Sequence, residues 1–353
     1  MAPVPREEYL KLSLEERFIT LNEEDGARAE ALHKDSLAID LHTHILRGEL
    51  EENVPRLKRA QVNGFIEAVA RINEDFSESM DLLGQYLEMV EKHPDFVPAF
   101  CAQDFLTAKE SGKQAVMFQL EPQTFGRKLE RIEIAYGLGI RMALLTFNTR
   151  TYIGDGCGER TNSGLSYLGL EVVERMNELG MLIDLSHCGE QVSLDAIEAS
   201  KQPVMCNHVG ARALYPQCKR LKSDEVLKAL ADKGGLAGVS AIPNQLSGNE
   251  KQGIEDMLNH IDYIVNLIGI DHVAIGLDNV FHDQVAYHRQ ADQSIFKLSY
   301  IGQELNAPYM YGIESPEEWP NITRGLVSRG YSDDEITKII GGNALRVIRE
   351  VVG

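Results

Sequence analysis

Short apolar runs alternate with helical patterns along most of this chain. Strands that are apolar throughout are typical of a parallel sheet with both faces covered. Eight such runs are present, which is enough for a closed barrel or for a broad open sheet. They are Leu37–Leu41, Asn63–Val69, Ala115–Leu120, Arg141–Thr146, Met181–Leu185, Pro203–Cys206, Gly235–Ala241 and His272–Leu277.

Apolar residues at helical spacing occupy most of the segments between these runs. In Glu78–His93, for example, Met80, Leu83, Leu87 and Val90 fall on one helical face. Two of the other helical segments begin at a serine followed by acidic residues, the usual pattern of an N-terminal cap. These other segments are Gly169–Leu179, Glu190–Ser200, Ser223–Lys233, Glu255–Ile268 and Ser332–Ile340.

Eight strands alternating with helices over ~240 residues predict an α/β protein with a closed (β/α)8 TIM barrel. The alternative is a doubly wound open sheet, in which the same strands lie side by side. The turn after the first predicted strand has no Gly-x-Gly-x-x-Gly pattern, which argues against a dinucleotide-binding version of the open sheet.

We expect one domain that is preceded by a short helical segment. Residues 1–35 are rich in Glu, Lys, Arg, Leu and Ala, and predict a helical lead-in packed on the barrel. Residues 36–353 then form the single barrel domain, with an insertion at about 279–320. The aromatic residues of the insertion are consistent with a reshaped barrel mouth or with a dimer contact.

Charge and composition narrow the set of partners and compartments. The 353 residues carry a net charge of −19, and an acidic surface disfavours nucleic acid and anionic membranes as partners. No apolar run reaches the ~18 residues of a membrane span, and the N-terminus lacks a signal-peptide pattern. The five cysteines form no Cys-x-x-Cys pair, so we expect free thiols in a cytoplasmic protein.

The candidate chemistry lies where the predicted strands end. His42 and His44 follow the first run, and two side chains two residues apart on extended backbone point to the same side. In a barrel, residues that end strands form the active site. Any one of these residues alone could be a hydrogen-bonded loop residue or a helix cap. The residues that end four other runs are Glu121, His187, His208 and Asp278.

The residue types at these strand ends predict a metal centre. Four neutral imidazoles and a glutamate suit zinc, and the glutamate can bridge two ions. Two such ions would lower the pKa of a shared water and clamp a polarised carbonyl, while Asp278 moves protons to a leaving amine. The sequence therefore predicts a barrel of the metal-dependent hydrolase type that cleaves an amide or a similar bond.

Three motifs resemble the membrane (renal) dipeptidase family of the amidohydrolase superfamily. They are Met176–His187, Pro203–His208 and His272–Asp278, and the similarity extends from about Ala31 to the C-terminus. The resemblance implies a binuclear zinc barrel that hydrolyses dipeptides, often as a homodimer.

The same resemblance implies a role for each residue at the strand ends. His42, His44 and Glu121 would bind one zinc ion, and Glu121 would bridge to a second. His187 and His208 would hold that second ion. Asp278 would be the carboxylate that transfers protons.

The chain departs from the family pattern at several positions. His44 stands where relatives have a carboxylate, and Phe147 stands where they have a histidine that contacts the reacting carbonyl. Ile242 lies where an aromatic residue is common. The arginine expected to hold the substrate carboxylate aligns with Lys219, or with Arg220 after a shift of one residue.

The leading hypothesis is a zinc-dependent hydrolase of a dipeptide or modified dipeptide, in which a metal-bridging hydroxide attacks the carbonyl. One alternative is an amidohydrolase that acts on another bond, such as an N-acyl amino acid, a lactone or a cyclic amide. The other is a catalytically impaired member of the family that binds a small ligand.

Overall fold

The computed structural model describes residues 4–48, 50–69, 75–120, 124–278, 283–291 and 298–353, with the backbone alone for residues 51, 52, 290, 291 and 299. The strands in this part of the chain are β1 (Ile39–Thr43), β2 (Gly64–Val69), β3 (Phe96–Pro98), β4 (Gln114–Leu120), β5 (Ile140–Leu144), β6 (Leu182–Asp184), β7 (Met205–Val209), β8 (Leu236–Val239), β9 (Gln252–Gly253), β10 (Val273–Ile275) and β11 (Met310–Tyr311).

Eight of these strands form a nearly closed parallel barrel in the order β1-β2-β4-β5-β6-β7-β8-β10. Strand β3 pairs with β4 outside this path, and β9 and β11 form a separate small sheet. The prediction of a barrel is confirmed, because each of the eight predicted runs overlaps one barrel strand. The open doubly wound sheet is therefore wrong.

The barrel is completed by contacts between its first and last strands. The backbone N–H of Asp278 donates to the carbonyl of His42 at 3.0 Å. The carboxylate of Asp40 adds a second link, because it accepts from the N–H of Leu277 at 3.0 Å and from Nε1 of Trp319 at 3.2 Å. We call this junction between β1 and β10 the seam.

The described α-helices range from four to 17 residues in length. Ser223 and Ser332 cap two of them as predicted, since each hydroxyl accepts from the backbone N–H three residues later. The helices are α1 (Arg6–Tyr9), α2 (Leu14–Arg17), α3 (Glu23–Asp35), α4 (Leu50–Ala60), α5 (Phe76–Lys92), α6 (Ala102–Glu110), α7 (Glu130–Gly137), α8 (Tyr167–Leu179), α9 (Glu190–Ala199), α10 (Asp224–Asp232), α11 (Ile254–Ile268), α12 (Gln284–Ala291), α13 (Pro320–Ser328), α14 (Asp333–Thr337) and α15 (Asn343–Val351).

Apolar side chains from every barrel strand pack together in the interior. Leu41, Ile66, Met117 and Met142 belong to this cluster and are fully buried. Gly238 and Gly276 keep the carboxyl half of the interior narrow, because a Cβ atom at these positions would lie 2.2 Å and 1.8 Å from the carbonyl oxygen of Asn207 in β7. The polar residues at the strand ends therefore lie directly above an apolar and tightly packed barrel interior.

The N-terminal residues 4–17 lie against residues 309–318. Tyr9 stacks on Tyr309 with ring centroids 4.7 Å apart, and Arg6 pairs with Glu314. Among the described helices, none combines the length and the apolar character that crossing a lipid bilayer requires.

Candidate metal centre

Five of the six residues predicted to form a metal site meet at the carboxyl end of the barrel. They come from four strands or from the turns after them, as expected for a barrel active site. Glu121, predicted to bridge two ions, lies outside the described residues. The five are His42 in β1, His44 just after it, His187 after β6, His208 in β7 and Asp278 after β10.

The imidazoles converge on the carboxylate of Asp278. Its Oδ1 lies 3.2 Å from Nε2 of His44 and 3.7 Å from Nε2 of His42. Its Oδ2 lies 3.6 Å from Nε2 of His208, which is 3.1 Å from Nε2 of His187. Ligand atoms of His42, His208 and Asp278 all lie within 4.8 Å of one another. One ion among them could therefore contact several of these side chains at once.

Asp278 occupies an unusual backbone conformation at the seam. Its φ angle is 55°, in the left-handed region, which aspartate tolerates better than most residues. Such conformations persist only where the surroundings enforce them, and they are concentrated at functional sites. Here the hydrogen bond from its N–H to His42 helps to hold the residue in place.

Hydrogen bonds at Nδ1 orient two of the imidazoles. Nδ1 of His187 is 2.7 Å from Oδ1 of Asn148, and Nδ1 of His42 is 3.1 Å from Oε1 of Gln119. Because an amide oxygen can only accept, these contacts suit the tautomer that carries the proton on Nδ1. The lone pair at Nε2 then points into the centre, as in most protein sites that bind a metal through histidine.

A buried carboxylate, Asp184, joins the groups that support the histidines. It accepts from Nε2 of Gln119 at 2.8 Å, from Oγ of Ser186 at 2.6 Å and from the N–H of Asn207 at 3.0 Å. Oδ1 of Asn207 accepts from Nδ1 of His208, so that ring is oriented in the same way. Burial raises the pKa of Asp184, and the hydrogen bonds that it accepts oppose this rise.

A second buried carboxylate, Glu67 in β2, holds the backbone on both sides of His44. It accepts from Oγ1 of Thr43 at 2.9 Å and from the N–H groups of Ile45 and Leu46 at 2.8 and 3.0 Å. Nδ1 of His44 itself is buried without a hydrogen-bond partner among the described residues. The position of this ring is therefore set mainly through its backbone.

The electrostatics of the site favour neutral imidazoles. Burial lowers the pKa of His42 to about 3 and places the pKa of His187 and His208 well below the usual histidine value. Burial raises the pKa of Asp278, and the positive charge of Arg220 opposes this rise. Neutral imidazoles and a carboxylate are the donors that zinc and similar ions prefer.

The spacing of the donors also suits a metal ion. The 3.1 Å between the Nε2 atoms of His187 and His208 is a poor contact for two lone pairs in the absence of a proton or a cation. It is close to the roughly 3.4 Å that separates two nitrogens bound to one tetrahedral ion at ~2.1 Å. The residues present therefore fit a divalent metal ion.

Two of the predicted substrate-binding residues are apolar side chains near this centre. The ring of Phe147 stacks on that of His187, with centroids 4.0 Å apart and an interplanar angle of 20°. Ile242 is only 1% exposed, and the neighbouring N–H of Ala241 donates to Leu277. Phe147 therefore lies beside the candidate ligands, whereas Ile242 lies within the packed wall.

The two adjacent cations in the predicted carboxylate-binding position differ in their surroundings. Lys219 is exposed and its N–H donates to the carbonyl of Ile301 at 2.8 Å. Arg220 is 1% exposed, and its guanidinium donates to the backbone carbonyls of Ser186 and His208. Of the two, Lys219 is the side chain that is exposed to solvent.

An open groove of about 380 Å³ lies next to the turn that carries His187. Cys157 forms part of its wall, and the N–H of Cys157 donates to the carbonyl of His187 at 2.8 Å. The groove presents side chains of both charges, including Arg160, Lys219 and Glu159. It could accept a ligand that carries both an ammonium and a carboxylate group.

Sequence reasoning missed the residues that hold the histidines in place. Gln119 and Asp184 each interrupt an otherwise apolar predicted run, and both are fully buried. A polar residue within a buried strand must find a partner, which is the signal that could have identified them. Asn148 and Asn207 directly precede or follow predicted residues and carry no comparable signal.

A family model described as membrane dipeptidase, peptidase family M19, matches residues 26–288 and 304–352. Dipeptidase tcpJ of Claviceps purpurea is 30% identical over 294 residues, which are 82% of this chain and 63% of the relative. Dipeptidase 3 of Rattus norvegicus is 30% identical over 224 residues, or 61% of this chain and 40% of the relative. The chain thus spans less than two thirds of the length of both relatives.

Two solved structures share the fold over nearly their full length. An amidohydrolase from Pseudomonas aeruginosa matches with a TM-score of 0.83 and 29% identity, covering 92% of this chain and 98% of that one. A metallopeptidase from Rhodobacter sphaeroides, solved with a phosphinate mimic of the dipeptide L-Ala-D-Ala, matches with a TM-score of 0.74. Its 18% identity, over 90% of this chain and 100% of that one, is evidence for the shared fold alone.

Proposed function

The chain belongs to the membrane dipeptidase family, and we propose that it is a zinc-dependent hydrolase of dipeptides or modified dipeptides. The observation that carries this proposal is the convergence of His42, His44 and His208 on Asp278 at the mouth of the barrel, with His187 beside His208. Five side chains from four strands meet there, which chance placement does not explain.

We propose that the imidazoles act as metal ligands through Nε2. Glu121, which lies outside the described residues, completes the proposed set as the bridge between two zinc ions. A bound ion would supply Lewis-acid polarisation of the amide carbonyl and a more acidic water. The neutral state of the imidazoles leaves their lone pairs available for this role.

Asp278 is proposed to be the proton carrier of the reaction. Its carboxylate lies within 4 Å of three imidazoles, so it borders the space in which the scissile amide must sit. As the new C–O bond forms, an oxygen of Asp278 takes the proton of the attacking water. As the C–N bond breaks, it returns that proton to the leaving amine.

The groove beside His187 supports a dipeptide as the substrate class. A dipeptide carries one ammonium and one carboxylate group, and side chains of both charges line the groove. Lys219 is proposed to pair with the substrate carboxylate. A lysine does so as a point charge, without the planar fork of an arginine, so we expect this contact to be less selective.

Metal content and hydrolysis together test the proposal. The purified protein should hold at least one equivalent of zinc by mass spectrometry and should hydrolyse members of a panel of L,L, L,D and N-acylated dipeptides. His187→Ala should lose most of the metal, whereas His93→Ala, at the end of α5, should retain it. Sub-stoichiometric zinc in the wild type, with hydrolysis unchanged in His187→Ala, would contradict the proposal.

The stacking of Phe147 on His187 favours a second candidate function. The family resemblance implies a polar donor at this position, and an aromatic ring instead would suit a substrate with a less polar or cyclic carbonyl group. Comparing dipeptides with lactones and cyclic imides separates the two functions. Faster turnover of the dipeptides rejects the second candidate.

A further inference from the structure

Two buried cations lie behind the candidate ligands His187 and His208. Arg220 and Lys222 are each 1% exposed. A buried positive charge close to the proposed metal site would repel the metal ion. The hydrogen bonds of Arg220 and Lys222 indicate why two such charges are present there.

Arg220 connects the two adjacent strands that carry these histidines. One guanidinium nitrogen donates to the carbonyl of Ser186, the residue before His187. The other donates to the carbonyl of His208 at 2.9 Å. Since a planar fork can serve two carbonyls at a fixed separation, Arg220 sets the distance between the backbones at these two positions.

Lys222 holds the other side of the same turn. Its Nζ donates to the carbonyl of Cys188, the residue after His187, at 2.8 Å and to Oγ of Ser193 at 3.1 Å. The carbonyl of His187 itself accepts from the N–H of Cys157. Every backbone carbonyl from residue 186 to residue 188 is thus hydrogen-bonded, and two of these bonds come from buried cations.

Both cations come from one loop that leaves β7 just after His208 and then returns. The N–H of Lys222 donates to the carbonyl of Gly210 at 3.0 Å, and the N–H of Arg212 donates to the carbonyl of Lys222 at 2.8 Å. These bonds close the loop on itself and direct Arg220 and Lys222 back toward the strand ends. The neighbouring Lys219 remains exposed on the outer side of the loop.

We propose that Arg220 and Lys222 are positioning residues that hold His187 and His208 at the separation needed to bind one metal ion together. The inference rests on the proposed function and deepens it. Both terminal nitrogens of the Arg220 guanidinium donate to backbone carbonyls, and these bonds are made in the absence of any substrate.

The test uses Arg220→Lys and Lys222→Met with a matched control at the opposite end of the barrel. Arg346 also donates to two backbone carbonyls, those of Gly234 at 3.1 Å and Asp271 at 2.9 Å, and its Nε, like that of Arg220, is buried without a described partner. Arg346→Lys therefore removes the same kind of fork far from the site.

Zinc affinity is measured by competition with a chromophoric chelator, and the ligand geometry by the visible absorption of the cobalt-substituted protein. We expect both site variants to bind zinc about 10- to 100-fold more weakly, with altered cobalt spectra, and Arg346→Lys to retain wild-type affinity. A purely structural role would lower the thermal unfolding temperature and leave the zinc affinity and cobalt spectrum unchanged, which would overturn the inference.

Hydrogen exchange in the metal-free protein separates this inference from the proposed function. We expect the backbone amides of residues 186–188 to exchange faster in Arg220→Lys and Lys222→Met than in the wild type. A wild type that fails to bind zinc would overturn the proposed function, while exchange would still report on the positioning of the turn. If both variants showed the same amide exchange rates and the same zinc affinity as the wild type, the positioning role would be overturned.

Discussion

Phe147 is the single residue that most clearly limits the chemistry of the proposed site. Its ring lies flat against His187, with centroids 4.0 Å apart. A carbon ring cannot donate a hydrogen bond to the oxygen that becomes negative when a carbonyl is attacked. Oxyanion donors typically contribute about 10²–10³ in turnover, so we expect slow hydrolysis of simple dipeptides by the wild type.

Replacing this ring with a donor should raise activity. Phe147→His is expected to increase kcat for dipeptides by about tenfold or more, because an imidazole N–H can stabilise the developing oxyanion. The measurement is kcat and KM on the best dipeptide of the panel. Phe147→Leu, which removes the stacking without adding a donor, is the control and should show no gain. An equal kcat in the histidine and leucine variants would exclude this role for the position.

Asp184 acts on the candidate ligands from a distance. It accepts hydrogen bonds from Gln119 and Ser186, which in turn support His42 and His208. In Asp184→Asn one carboxylate oxygen becomes an amide NH2 group, which cannot accept a hydrogen bond. At least one of the donors that now bind Asp184 would therefore lose its acceptor. We expect zinc affinity to fall about 10- to 100-fold, measured by chelator competition. Asp232→Asn, an exposed change at the end of α10, should leave the affinity unaltered; matching affinities in the two variants would contradict this account of Asp184.

At the level of elements, the N-terminal helices are tied to the last part of the predicted insertion. Tyr9 stacks on Tyr309, and its hydroxyl contacts the carboxylate of Glu318. Arg6 pairs with Glu314, which is 6% exposed. These contacts span about 300 positions of sequence. We propose that the N-terminal helices fold as part of the barrel domain.

The Glu314 contact should make stability depend on pH. Burial is the largest influence on Glu314 and raises its pKa from 4.5 to about 7, while Arg6 opposes the shift. A raised pKa means that the folded protein binds an extra proton between these values. The stabilisation from Glu314 is therefore complete below about pH 4.5 and is lost as the pH rises to about 7.

Comparison with Glu314→Gln isolates this contribution. Between pH 5 and pH 8 the free energy of unfolding of the wild type should fall by about 1–3 kcal/mol more than that of the variant, in urea titrations. Glu317→Gln is the contrasting control, because Arg56 lies 2.7 Å from Glu317 and the pKa of Glu317 is lowered. The Glu317→Gln substitution should lower the free energy of unfolding most strongly above pH 5. Parallel pH profiles for the wild type and Glu314→Gln would show that Glu314 does not titrate in this range.

The barrel strands could be predicted because each is buried on both faces and therefore reads as an apolar run. Strands β9 and β11 have only two residues each, too few to show a pattern, and β3 is only partly buried, so it lacks the continuous apolar run of a barrel strand. The candidate ligands could be predicted because they are polar residues that come at the ends of these apolar runs. The difference between Lys219 and Arg220 could not be predicted, because adjacent cations in a loop have no periodicity that shows which one turns inward.

At the scale of the whole molecule, the barrel depends on the seam between its first and last strands. Asp40 is 4% exposed and accepts hydrogen bonds from the N–H groups of His42 and Leu277 and from the indole of Trp319. Its side chain takes the place of a backbone ladder bond between β1 and β10. Removing it would leave three buried donors without their acceptor.

Asp40→Ala should therefore destabilise the fold strongly. We expect the free energy of unfolding to fall by about 2–4 kcal/mol, measured by urea denaturation followed by circular dichroism. Asp232→Ala, which removes an exposed carboxylate, should change it by less than about 0.5 kcal/mol. A small effect of Asp40→Ala, similar to that of the control, would mean that the seam is held by other contacts.

The seam also sets the order in which the proposed site can be assembled. During synthesis, His42 and His44 emerge from the ribosome early, and Asp278 emerges only after all eight barrel strands. A nascent chain therefore has two of its candidate ligands long before the group on which they converge. Metal capture by the complete donor set is thus a late event, and a tightly bound ion would mark a chain whose barrel has already closed.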